Sequence, residues 1–158
     1  MDIYRVEIKW ALIFTVMGLL WMVMEKSLGW HDEHIDKHAS YTMLFMIPAV
    51  MVYYFAIRDK RQAVFGGSMT WKQGFISGAI LSLIVAILAI PSQWITNTVI
   101  TPDYFDNVVN YLVENEMATR EEAEAQFNPQ NYLIQAPIFS FVVGLVTAAV
   151  VSLLLKRK

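Results

Sequence analysis

The chain contains no cysteine. That excludes a disulfide framework and any thiolate metal site, and it leaves the redox compartment unreadable. The N-terminal MDIYRVEIKW lacks the basic region, short apolar core and small-residue cleavage site of a secretory signal. The first apolar run is therefore expected to remain as a span, with the protein starting at Met1. There is no GxSxG elbow, no Walker loop and no dinucleotide fingerprint, and Gly66-Gly67 is an isolated pair that punctuates a turn. An enzyme is not expected, and no catalytic or cofactor-binding residue is assigned. The apolar runs also lack acidic or basic residues at mid-depth, which ion-coupled transporters usually need, and four helices make a slender conduit.

What the chain has in abundance is apolar residues. Of its 158 residues, 56% are hydrophobic, against about 45 to 50% in an ordinary soluble domain. Four long runs carry them. The first, Trp10 to Met24, is shorter at about 1.5 Å per residue than a hydrocarbon core of roughly 30 Å. It must borrow its flanks, which places the span at 6–28 with Lys9 and Glu25 snorkelling near the interfaces. The second span, 41–57, carries Pro48 near its middle and is expected to bend there. The third, 71–96, is expected to kink near Pro91 and leave the lipid before Pro102, and the fourth is 132–155. The fold class is all-α membrane: a single four-transmembrane-helix bundle, with outer loops at 29–40 and 97–131 and a cytoplasmic loop at 58–70.

Charge supplies the orientation. Nine of the twelve Lys and Arg residues fall in the two tails and the 58–72 stretch, whereas only Lys26, Lys37 and Arg120 fall in the other two connections. Eleven of the fourteen acids lie on that second side. The positive-inside rule then puts both termini in the cytoplasm. Anionic lipid headgroups would attract the basic rim, and the acidic outer face argues against nucleic acid as a partner.

Small residues recur every four positions in two spans: Gly74, Gly78, Ser82 and Ala86 in the third, and Ala136, Ser140, Gly144, Ala148 and Ser152 in the fourth. Such stripes let backbones approach where lipid supplies no hydrophobic drive. They serve either packing of spans three and four within one chain or a homodimer seam. Thr70 to Gln73 reads as a capping box opening the third span, with Trp71 as an interfacial anchor.

In the long outer loop, Tyr104, Phe105, Val108, Val109 and Leu112 are spaced for an amphipathic helix. Thr119 and Glu122 form a second capping box that opens another short helix, and Asn128-Pro129 ends it, so an amphipathic helix pair is expected. Its acids, Glu114, Glu116, Glu121, Glu122 and Glu124, form either a solvated face or a docking surface for a membrane-protein partner.

All three histidines lie within eight residues of the first outer loop: His31, His34 and His38. In a helix, His34 and His38 share a face with His31 three residues earlier. Imidazoles so spaced can hold zinc or another divalent metal, with Asp or Glu completing the set. The pattern is not HExxH, and a polar juxtamembrane loop carries such residues simply because they are soluble.

The combination of Arg58-Asp59-Lys60, Gly66-Gly67, Thr70-Trp71-Lys72-Gln73-Gly74, Pro102-Asp103-Tyr104 and Met117-Ala118-Thr119-Arg120-Glu121-Glu122 resembles a family of bacterial four-span inner-membrane proteins of unknown function. The likeness covers nearly the whole chain. It implies the four-span topology and transfers no site residues. That members are often encoded near membrane glycosyltransferases of the polyprenyl-phosphate type implies an interaction or accessory subunit in cell-envelope biogenesis. The alternative from the residues is an outward-facing divalent-metal sensor or transport component using the histidines.

Overall fold

A computed structural model describes residues 4–157; Met1 and the terminal Lys158, which entered the start and charge readings, lie outside the described residues. Among those residues all regular structure is helical. α1 spans Arg5–Ser27, α2 Ile35–Tyr41, α3 Met46–Ala63 and α4 Trp71–Ile95; α5 (Tyr104–Glu114) and α6 (Arg120–Gln126) precede α7 (Pro129–Leu155). A 3-10 turn, Thr42–Phe45, fuses α2 to α3, and a π turn, Thr96–Ile100, extends α4. Four stretches are long and apolar enough to cross a membrane: Arg5–Ser27, Ile35–Ala63, Trp71–Ile100 and Pro129–Leu155.

The second stretch is longer than its apolar run, because α2 precedes it and α3 continues through Arg58 to Ala63. The connection expected at 58–70 shrinks accordingly to 64–70. The irregularity expected mid-span lies instead in the turn before Pro48. A proline cannot donate to the carbonyl four residues back and its ring crowds that carbonyl, here Leu44, within the 3-10 turn. α4 runs through Pro91 and widens only after Ile95. Both capping boxes are present: Thr70 with Gln73 opens α4, and Thr119 with Glu122 opens α6. Asn128 starts a helix as well as ending one, since its side chain accepts from the Asn131 N–H at 2.9 Å and Pro129 takes the first helical position.

The spans run up and down. Paired contacts fix which ends coincide: Glu7 meets Lys60, Met69 pairs with Arg157, and Trp71 donates to the Ala149 carbonyl. This is the basic end of the bundle. The ends of α1 and α4, the beginning of α7 and all of α2, α5 and α6 gather at the opposite, acidic end.

α4 and α7 form the most extensive interface, and their small-residue stripes face each other. A Cβ added at Gly78 would stand 2.4 Å from the Ala148 Cβ, and one at Gly74 would stand 2.9 Å from the Ser152 Oγ. A Cβ at Gly144 would meet the Tyr53 hydroxyl at 2.4 Å and the Ser82 Oγ at 2.5 Å. Gly74, Gly78, Ser82 and Ala86 are thus spent on packing within one chain, together with Gly144 and Ala148. Ser140, in the same stripe, lines a cavity.

Near the basic end, away from mid-depth, the spans bury a charged pair. Glu7 is 1% exposed and Lys60 6%. The Lys60 Nζ lies 2.8 Å from Glu7 Oε1, and the Ser77 hydroxyl donates to the same oxygen at 2.7 Å. Helix packing aligns three residues far apart in sequence so that each charge is compensated where water is absent. Lys9, exposed as expected of a snorkelling residue, donates to Asp59, which also accepts from the Trp10 indole at 2.9 Å.

Candidate metal centre

The acidic end holds a second buried charge, and its neighbours are histidines. Glu25 lies in the last turns of α1, fully buried rather than snorkelling. One turn earlier Trp21 donates its indole N–H to Glu25 Oε1 at 2.7 Å. α1 then ends at Gly29, in the left-handed region at φ 74°. Gly29 N–H donates to the Lys26 carbonyl and Trp30 N–H to the Glu25 carbonyl, at 2.9 and 3.0 Å. These paired bonds are the Schellman arrangement that glycine permits after a helix end. The reversal lays His31 back against the carboxylate it has just left.

His31 is 4% exposed, with Nε2 3.1 Å from Glu25 Oε2. His38, in α2, brings its own Nε2 to 3.4 Å from the same oxygen. One ligand atom from each of Glu25, His31 and His38 lies within 4.8 Å of the other two. Metal–ligand bonds of about 2.0 to 2.1 Å in a tetrahedral zinc site separate adjacent ligand atoms by roughly 3.3 Å. The two distances to Glu25, 3.1 and 3.4 Å, match that spacing. Three protein ligands leave a fourth position for water or an exchanging ligand.

A layer from α5 braces the histidines. The Tyr104 hydroxyl sits 3.2 Å from His38 Nδ1, and the Asn107 amide donates to the His31 carbonyl at 3.0 Å. The Tyr104 ring also packs edge-on against both imidazoles, with centroids 5.3 and 5.2 Å away. Burial, with Tyr132 and Glu25 nearby, pushes the Tyr104 phenol above its ordinary range, so it stays protonated. A partner on the second ring nitrogen fixes an imidazole's tautomer and orientation, and Tyr104 is placed to do this for His38. The His31 Nδ1 is buried and has no partner among the described residues.

The carboxylate has no Lys or Arg in its shell among the described residues; Lys26 donates to the Ile100 carbonyl instead. A buried carboxylate needs a compensating charge. Here the available sources are protonation of the imidazoles or a cation held among them.

Of the three histidines expected together, the fold unites His31 and His38. His34 occupies the N-cap position of α2 with an exposed side chain and is outside the group. The helix that would have aligned all three begins only at Ile35. In the sequence Glu25 reads only as an interfacial residue and Tyr104 only as part of an amphipathic helix, while Trp21 and Asn107 carry no signal; the four-residue spacing of Trp21 and Glu25 and the glycine at position 29 are the cues to this arrangement.

Elsewhere at this end, Phe105, Val108, Val109 and Ala123 of the expected helix pair are buried, while Glu114, Glu116, Glu121 and Glu124 are exposed. Glu122 is engaged in its capping box, where the Thr119 backbone N–H holds its carboxyl below the usual range.

No curated protein and no solved structure matches the chain. The family model described as a protein of unknown function (DUF4199) matches residues 9–157, and with four apolar helices over that stretch the chain belongs to this family.

Proposed function

We propose that this protein is a divalent-metal sensor or transport component that holds a zinc-class ion at Glu25, His31 and His38, on the outer side of a bacterial inner membrane. The observation carrying this reading is the convergence of two imidazole nitrogens on one buried carboxylate, at 3.1 and 3.4 Å. The Tyr104 contact to His38 Nδ1 supports it. The excess of Lys and Arg at the opposite end supports the outward orientation.

Isothermal titration of the full chain in detergent with Zn²⁺ tests the site. One binding event is expected in the wild type and in His34→Ala, and none in Glu25→Gln or in His31→Ala combined with His38→Ala. Loss of binding in His34→Ala alone, or its retention in the other two, would overturn the assignment.

A second reading, an accessory subunit of cell-envelope biogenesis beside a membrane glycosyltransferase, draws support from α5 and α6. Their apolar residues face the fold and leave Glu114, Glu121 and Glu124, with Glu116 in the link between the helices, as four exposed glutamates outside the capping box. Affinity purification in mild detergent should then recover a stoichiometric membrane partner that is lost when these four glutamates become Gln. A monomer or homodimer without a partner would count against it.

A further inference from the structure

Toward the acidic end, the four spans separate around a cavity of about 480 Å³. Gly18 and Trp21 of α1, Met46 of α3, Val85 and Ala89 of α4, and Phe139 of α7 contribute to its walls. Neighbours of all three intrahelical prolines, Pro48, Pro91 and Pro137, line this space. The seam glycines, which draw α4 and α7 together, lie mostly nearer the basic end, with Gly144 at the cavity's edge.

Most of the hydroxyls around the cavity are committed elsewhere, the exceptions being Thr42 and Ser140. Thr15 donates to the Ala11 carbonyl, Ser92 to Leu88, Thr96 to Ser92 and Thr147 to Val143, all at 2.7 to 2.9 Å. The Trp21 indole N–H is turned to Glu25, and the Gln93 amide donates to Asn97. The walls are mostly hydrocarbon and aromatic carbon, where water finds few of the polar partners it needs. Its volume falls within the range of small-molecule sites. Met43 and Phe139, 68% and 66% exposed, belong both to the cavity wall and to the apolar surface of the spans. The cavity is therefore continuous with the surface that meets the bilayer.

We propose that this cavity is a lipid-binding site that takes one acyl chain of a bilayer phospholipid laterally through the mouth at Met43 and Phe139. An apolar space costs stability in proportion to the volume left unfilled, and in a membrane the solvent at its mouth is hydrocarbon chains. The size suits one chain and not a whole headgroup-bearing lipid. Met22, Met43 and Met46 supply flexible thioether walls that adapt to a chain of variable conformation. Gly18 keeps the floor open: a Cβ there would meet nothing closer than the Phe45 ring at 3.7 Å. Trp21 is shared between this cavity and the Glu25 shell, so a seated chain would steady the donor that holds the carboxylate.

The test uses the full chain in phosphatidylcholine vesicles containing a small fraction of the same lipid with a diazirine at mid-chain. After irradiation, adducts are mapped by peptide mass spectrometry. Labelling is expected at the inner wall, at Val85 and Ala89, as well as at the lipid-facing Leu20 and Leu154. Gly18→Leu, which fills the floor, should abolish the inner-wall adducts and leave those at Leu20 and Leu154. Ser140→Leu, on the opposite wall, should do the same and covers the case in which Gly18→Leu fails to fold. Absence of inner-wall labelling in the wild type, or labelling indifferent to both substitutions, would overturn the proposal. Zn²⁺ titration of the same variants is an independent readout, so failure of the lipid site and failure of the metal site remain distinguishable.

Discussion

At the basic end of the bundle, α4 and α7 approach until a single added methyl group would overlap its neighbour, and the buried carboxylate of Glu7 is compensated by Lys60 from the same chain. At the acidic end the same helices separate around a cavity, and the buried carboxylate of Glu25 is met by two histidines and no permanent cation among the described residues. One half is closed and internally neutralised; the other is open and has room for ligands. The comparison separates structural burial of charge from burial that invites something to bind. A lysine at Glu7 makes a complete pair, whereas imidazoles at Glu25 leave a charge whose compensation depends on protons or metal.

The contrast can be broken most severely at the closed end. Lys60→Met should cost about 3–5 kcal/mol by leaving Glu7 buried without its cation, measured by reversible denaturation in mixed micelles. Adding Glu7→Gln should recover much of the loss; no recovery would mean that the pair is not the source of the effect. Gly78→Ala should cost about 1–3 kcal/mol through overpacking against Ala148, seen as a lower melting temperature in detergent.

At the open end the expected effects concern binding more than folding. Tyr104→Phe removes the hydroxyl beside His38 Nδ1 and should weaken Zn²⁺ binding by about 10- to 100-fold, with little change in melting temperature. Unchanged affinity would remove Tyr104 from the site. Gly18→Ala should act opposite in sign to Gly78→Ala and stabilise by about 0.5–1 kcal/mol, since a mid-helix glycine is replaced where space is available. A destabilised Gly18→Ala protein would contradict the open cavity.

The smallest effect belongs to the α6 cap. The Glu122 carboxyl is held below its ordinary range in the folded chain, so its contribution is present above the ordinary glutamate value near ~4.3 and is lost as pH falls through the depressed folded value. Hydrogen exchange in α6 should accelerate over that acid window in the wild type, and a Glu122→Gln protein should show no such step.

Much of the closed half was legible beforehand because its signals are local. The four-residue recurrence from Gly74 to Ala86 reports a helix face directly, and Thr70 with Gln73 forms a cap within one turn. The facing of the two stripes followed from backbone approach, which both small-residue rows permit. The site at the open end was legible only in part. His31 and His38 stood out by type, but His34 stood out equally, and nothing in the spacing showed that α2 would begin after it. Glu25 read as a snorkelling residue because its burial depends on α2 and α5 closing over it, 13 and 79 positions downstream at His38 and Tyr104. Lys60 and Glu7 were hidden for the same reason, 53 positions apart.

By itself the sequence determined that the chain forms four membrane-length helices, where most of them begin, and which faces of the third and fourth could meet. Those properties depend on transfer of apolar runs from water and on periodicity within a few turns, both carried by contiguous residues. Only the tertiary structure decided which polar side chains lose contact with water and what compensates them, because that depends on the rotation and offset of helices relative to one another. Glu25 shows the difference: its place near the end of α1 was readable, but its two histidines and its tyrosine brace exist only once the Gly29 reversal and the docking of α5 have brought them to it.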